Sequence, residues 1–238
     1  MLRSSVMALA MVGSIAAIEP LQKTFSSESD YTEKAFTALV NGQQTDAVAI
    51  YTKAIEQHPD SYMSHYRRGV TYARLGKHEQ ALADLNTAVR LSPVVKSSNE
   101  LGFRAWNSLL PETHALNMVV LVRSQRADLL RTLKRPQEAI ADLNVAISLD
   151  PRRTHLWHTR ALLHMETGNA TGAINDFSAL LARRENAEWR FARGISYFVM
   201  RDYAKAEADF QTAATLDRKN ALYARWLSKT QKARGIPV

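Results

Sequence analysis

The side chains of this 238-residue chain that could do chemistry are its histidines and a recurring set of arginines and aspartates. His155 and His158 stand three residues apart and share one face of any helix that contains them. Paired imidazoles can bind zinc, but neither His65 nor His164 supplies a third ligand at a suitable spacing. No metal or other cofactor is therefore expected. Cysteine is absent, which excludes thiolate metal sites, disulfides and thiol nucleophiles. No nucleophile–base constellation and no glycine-rich phosphate cradle occurs, so the chain reads as non-enzymatic, with no catalytic residues.

The arginines and aspartates follow a rule. Arg68, Arg126, Arg160 and Arg193 each precede a small residue (Gly69, Ala127, Ala161 and Gly194). Asp84, Asp142, Asp176 and Asp209 each stand three residues after an alanine (Ala81, Ala139, Ala173 and Ala206). In a weaker copy near the N-terminus, Lys34 and Ile50 replace both members. Joint presence and joint loss predict an ion pair in each good copy, a guanidinium on one helix reaching a carboxylate on the next. Removing one partner of such a buried pair costs about 3–5 kcal/mol. These residues are expected to hold the architecture together and not to bind a ligand.

The elements that position them recur. Tyr62–Pro93 aligns with Val120–Pro151, laying Ala81-Leu82-Ala83-Asp84-Leu85-Asn86 over Ala139-Ile140-Ala141-Asp142-Leu143-Asn144. The same frame fits Thr154–Glu185 and Ala187–Arg218, and a weaker copy runs from Glu28 to Pro59. Helices that pack at roughly 8–10 Å need small residues at their crossings. Ala47, Ala81, Ala139, Ala173 and Ala206 fill the first such place, and Ala54, Ala88, Ala146 and Ala213 the second, with Leu180 the exception. Gly42, Gly76 and Gly168 suit turns that need a left-handed residue. Pro59, Pro93 and Pro151 stop the second helix of each pair, because proline has no N–H to donate.

This frame resembles the tetratricopeptide repeat, whose period is about 34 residues. Its small first-helix landmark is present as Ala35, Gly69, Ala127, Ala161 and Gly194, whereas the aromatic three residues later survives only as Tyr72 and Tyr197. The resemblance implies an all-α fold, an α-solenoid of about five antiparallel helix pairs. These are residues 28–61, 62–93, 120–153, 154–186 and 187–220, closed by a capping helix at 221–234. It further implies a concave surface lined by the first helices, which serves as a groove for a protein or peptide. Carried over position by position, the groove comprises Thr32, Phe36 and Leu39; Tyr66, Arg67, Val70 and Arg74; and Ser124, Asp128 and Arg131. The last two pairs add His155, His158, Leu162 and Met165, then Phe191, Ile195 and Phe198. That groove is apolar and aromatic at its ends and partly basic in its middle. The Lys and Asn positions with which some members clamp a terminal carboxylate hold Thr32, Phe36, Tyr66, Val70, Ser124 and Asp128, so that clamp is absent.

Composition fits this reading. Hydrophobic residues make up 46% of the chain, enough for a core, and only 9 Gly and 7 Pro are present. The net charge of +8 would attract an acidic protein, nucleic acid or an anionic surface. The cations are scattered, however, so association with nucleic acid or an anionic surface is the alternative to a protein-binding scaffold. Residues 1–18 read as a signal or targeting segment. Val6–Ile18 is an apolar run too short to span a bilayer, and small residues near its end (Ser14, Ala16 and Ala17) suit cleavage. Export to a periplasmic or secreted space, with no transmembrane span in the mature chain, is the expectation. The basic, acid-free Met1–Ser5 leaves a mitochondrial presequence as the alternative. Residues 19–27 read as a linker and 94–119 as an insertion, with a helix start near Pro111.

Overall fold

The computed structural model describes residues 27–93 and 111–235. The targeting segment, most of the linker, and residues 94–110 of the insertion lie outside the described residues. Within them the chain forms eleven helices and no strand. These are α1 (Glu28–Val40), α2 (Gln44–Gln57), α3 (Tyr62–Arg74), α4 (His78–Leu91), α5 (Pro111–Thr132) and α6 (Pro136–Leu149). The series continues with α7 (Thr154–Glu166), α8 (Ala170–Leu181), α9 (Ala187–Val199), α10 (Tyr203–Leu216) and α11 (Ala221–Ala233). Each helix packs on the next in chain order, so five hairpins stack into a solenoid that α11 closes. α4 rests on α5 although residues 94–110 intervene, and the stack is continuous across them.

One turn design joins the two helices of all five pairs. The second residue after the first helix adopts a left-handed conformation, and the following N–H donates back to the carbonyl five residues earlier. Examples are Gln43 N to Ala38 O at 2.8 Å, Lys77 N to Tyr72 O at 2.9 Å and Arg135 N to Leu130 O at 2.9 Å. Gly42, Gly76 and Gly168 take the left-handed place at φ +75°, +72° and +75°. In the third and fifth pairs Lys134 (φ 58°) and Arg201 (φ 62°) take it, although a Cβ makes this backbone costly by about 1–2 kcal/mol.

The small residues sit at the crossings. Every alanine of the two small-residue series is fully buried, and Leu180 is 1% exposed. At Gly69 an added Cβ would lie 3.1 Å from both Asp84 and Leu85, and at Gly194 it would meet the Phe210 ring at 2.7 Å. α5 is 22 residues long because its first turns belong to the segment read as insertion. Leu116 and Val119 are buried there in the same core as Leu85 and Leu143, so the insertion ends at residue 110.

The arginines and aspartates form a ladder along the stack. Arg68 grips Asp84 with Nε and Nη2 at 2.7 and 2.8 Å. Arg126 grips Asp142 at 2.6 and 2.7 Å, Arg160 Asp176 at 2.9 and 2.6 Å, and Arg193 Asp209 at 2.8 and 2.8 Å. The four carboxylates are buried. The remaining nitrogen, Nη1, reaches back to the second helix of the preceding pair. Its acceptors are Thr52 at 3.1 Å, Asn86 at 2.9 Å, Asn144 at 2.8 Å and Ser178 at 3.0 Å. A planar guanidinium with a rigid fork can bind a carboxylate on one side and a neighbour on the other; a lysine cannot. A second side chain reinforces three rungs: His65 on Asp84 (3.2 Å), Arg123 on Asp142 (2.9 Å) and Arg190 on Asp209 (3.1 Å).

Candidate binding surface

The face made by the first helices, α1, α3, α5, α7 and α9, carries the side chains the ladder leaves free. At the α1 end Phe36 is 64% and Val40 69% exposed, a distance of one helical turn apart. On α3, Tyr66 and Val70 are half-buried against the main core. Arg67 is held by a hydrogen bond to the Thr32 hydroxyl. Burial pushes the Tyr51 and Tyr66 hydroxyls above the usual tyrosine value, and nearby Arg67 and Arg74 pull the other way. Two guanidinium groups therefore face this pair of phenols.

Arg74 and Arg131 are exposed. They make no ion pair among the described residues, in contrast with every ladder arginine. Asp128 reaches solvent at its edge yet is crowded by neighbouring helices. Desolvation raises its carboxyl above the usual range, and Arg131 and His155 only partly offset that. The middle of the face thus presents Arg131 beside a carboxylate that is easier to protonate than usual, with Arg74 exposed on α3.

Several expected groove residues are placed differently. Ser124 is 7% exposed and its hydroxyl donates to the Leu121 carbonyl at 2.9 Å, so it lies under the surface. Phe191 and Phe198 are taken up by the capping helix: Trp226 stands 6.3 Å and 5.3 Å from their ring centres, with Phe210 at 5.8 Å. Lys229 covers Trp226 at 4.2 Å. The aromatic end of the expected groove is therefore closed, because α11 must seal the last pair's apolar side. His155 is exposed, whereas His158 is packed against Phe177 and Trp189 at 6.3 and 6.4 Å between ring centres. No group of three or more residues able to hold a metal ion occurs among the described residues.

What remains open at this end is aliphatic. Leu162 is 39% exposed, Val199 67% and Met200 52%. Met165, Gly168, Ala170, Ile195, Ser196 and Val199 line a pocket of about 100 Å³ between the fourth and fifth pairs. The sequence reading did not include Val40, Val199 or the pocket. Val40 and Val199 stand four residues after Phe36 and Ile195, and that spacing was the signal that could have found them.

Comparison with known proteins agrees with this architecture. A profile described as tetratricopeptide repeat matches residues 33–95 and 158–221, and a second of the same description matches 122–153. Human tetratricopeptide repeat protein 13 is 26% identical over 221 residues, covering 89% of this chain and 19% of the relative. The tetratricopeptide repeat and J domain-containing co-chaperone DNJ1 of Fusarium oxysporum f. sp. lycopersici is 25% identical over 170 residues, 64% of this chain and 33% of the relative. The chain thus spans a fifth to a third of the length of these curated relatives. Among solved structures, YrrB, described as a TPR protein with an unusual peptide-binding site, superposes with a TM-score of 0.68 at 16% identity, covering 88% of this chain and 96% of that one. MamA follows at 0.63 and 17%, covering 82% and 94%. Five hairpins in phase, their buried small residues and profile matches over more than half of the sequence lead to one conclusion: this chain belongs to the tetratricopeptide-repeat family.

Proposed function

We propose that the chain is a non-catalytic scaffold that holds an extended segment of a partner protein across its concave, first-helix face. Proteins of this family act as scaffolds for protein interactions. The observation that carries the finer reading is the contrast between saturated and free arginines. The ladder guanidinium groups are each spent on a carboxylate and a neighbouring pair, while Arg74 and Arg131 are exposed and make no ion pair among the described residues, with exposed apolar side chains toward both ends of the stack. That mixture suits an extended peptide with apolar anchors and acidic residues. Spending four arginines internally also weakens the case for nucleic acid, which requires cations free to meet phosphates. No helix among the described residues is long and apolar enough to cross a membrane. The apolar run Val6–Ile18 supports placing this activity in an exported or periplasmic setting.

The test compares capture of partners by the tagged full chain with capture by an Arg67→Glu, Arg74→Glu, Arg131→Glu variant, after circular dichroism shows that both are equally helical. A partner retained by the parent and lost by the variant is the expected result. Equal retention by both would remove the concave face from consideration.

A further inference from the structure

The pocket between the fourth and fifth pairs lies at one end of the proposed groove, and its chemistry narrows what it can accept. Its walls are the side chains of Met165, Ile195 and Val199 with the backbone of Gly168 and Ala170. Its polar groups are already engaged. The Ser196 hydroxyl donates to the Ala192 carbonyl at 3.1 Å, and the Gly168 N–H donates to the Met165 carbonyl at 3.1 Å. A water held in such a place needs two to four polar partners, and these are missing. The volume of about 100 Å³ is smaller than the roughly 150 Å³ cavity that accepts a benzene ring. An unbranched or branched aliphatic side chain fits; an aromatic one does not. Val199, at 67% exposed, makes the rim and leaves the entrance open.

On the first helices the arginines nearest the pocket that make no ion pair among the described residues are Arg131 on α5 and, one pair further, Arg74 on α3. Helices pack at roughly 8–10 Å, so about one and a half helix spacings separate Arg131 from the pocket, which an extended chain crosses in about four residues. We propose that the pocket is an anchor site for a single aliphatic side chain of a bound extended peptide, whose acidic residue about four positions away pairs with Arg131, with Arg74 one helix spacing beyond. This inference rests on the reading of the first-helix face as the binding groove. It adds the class of peptide: one Leu, Ile, Val or Met anchor and a spaced Asp or Glu. Burying one aliphatic side chain accounts for about a 10- to 100-fold gain in affinity.

The experiment pans a phage-displayed library of random decapeptides on the full chain, and in parallel on Val199→Glu and on Arg74→Glu, Arg131→Glu. Both sets change exposed residues, and circular dichroism and melting temperature establish that the fold is kept. The expected parent consensus is an aliphatic residue with an acidic residue about four positions away. The Val199→Glu chain should lose the aliphatic preference and keep the acidic one, and the double variant the reverse. A selected peptide made synthetically with a fluorescein label should bind at least about tenfold more weakly to Val199→Glu, and equally weakly when its anchor is changed to Ser. A consensus without an aliphatic position, or one that Val199→Glu leaves unchanged, overturns the anchor site while the groove reading stands. No retained peptide, or peptides retained equally by all three chains, overturns both. Self-association of the parent that Val199→Glu abolishes, with no peptide consensus, would assign the pocket to a second copy of this chain and would also overturn the proposal.

Discussion

The first hairpin and the four behind it are built from the same repeat, but only the later four carry the ladder. In the later pairs each arginine joins its own second helix to that of the preceding pair. In the first pair Lys34 is exposed where the arginine would be, and Ile50 stands in place of the aspartate. Among the described residues no hairpin precedes this pair. The second helix of this pair does contribute Thr52, the acceptor for Arg68 of the next. The ladder thus couples each pair to the one before it, and among the described residues the first pair is the one that lacks it. The buried core of the first pair is also thin: Ala35, Ala38, Ala47, Tyr51 and Ala54, with Leu39 and Ile50 at its edge. Among the described residues this pair has one neighbouring pair, and a repeat that contacts fewer neighbours gains less interface stabilisation.

The sharpest way to break the comparison is to remove a rung. Asp142→Ala leaves Arg126 and Arg123 without their carboxylate, and the expected loss is about 3–5 kcal/mol. The melting temperature should fall by roughly 10 °C. Lys34→Ala, at the matching place in the first pair, should change stability by less than about 0.5 kcal/mol. Equal effects would show that the ladder does not distinguish the two regions.

Packing at the landmark gives the next largest effect. Gly194→Ala forces a methyl group against Phe210, and overpacking of this kind costs about 1–3 kcal/mol in a denaturant titration. The first pair already has Ala35 at that position, fully buried without a clash to relieve. A gain is expected at the turns: Arg201→Gly should stabilise the fifth pair by about 0.5–1 kcal/mol, because glycine adopts φ +62° without the Cβ penalty. Gly42 of the first pair has nothing left to gain, and Gly42→Ala should destabilise.

The smallest effect concerns acid. Burial lowers the His164 imidazole below its usual 6.5, despite the raising influence of Asp176. The unfolded chain therefore binds the proton more readily than the folded one. The stability contribution is intact above pH 6.5 and is lost as pH falls from there through the lowered folded value. His164→Gln should flatten the fall in melting temperature on acidification between pH 7 and 5. The first pair, with Ala38 at this position, contributes nothing to that fall.

Much of this was legible in the sequence because the period locks residues into register. Arg126 and Asp142 could be paired from their landmarks alone, and Ala146 or Gly76 from what a crossing or a turn requires. The backward reach of Nη1 had a signal as well: Thr52, Asn86, Asn144 and Ser178 are all polar, two residues beyond the aspartate position. Lys134 and Arg201 gave no signal, since their left-handed backbone is imposed by the turn and not by their side chains. The surface was harder to read. Phe191 and Phe198 occupy groove positions by register, yet whether a side chain there meets a ligand or Trp226 depends on how the last helix docks. Ser124 failed for a related reason, as a small polar residue can satisfy itself on the carbonyl of Leu121 and lie buried.

The central claim is that the first-helix face, and not the second-helix face, meets the partner. Because the chain has no cysteine, single Leu162→Cys, Phe36→Cys and Ala141→Cys variants can each carry one benzophenone maleimide. Each would be irradiated in an extract of the native cells. Crosslinking of the same partner from positions 162 and 36, and none from the exposed second-helix position 141, is the predicted result. A partner crosslinked from 141 and from neither of the others would contradict the account.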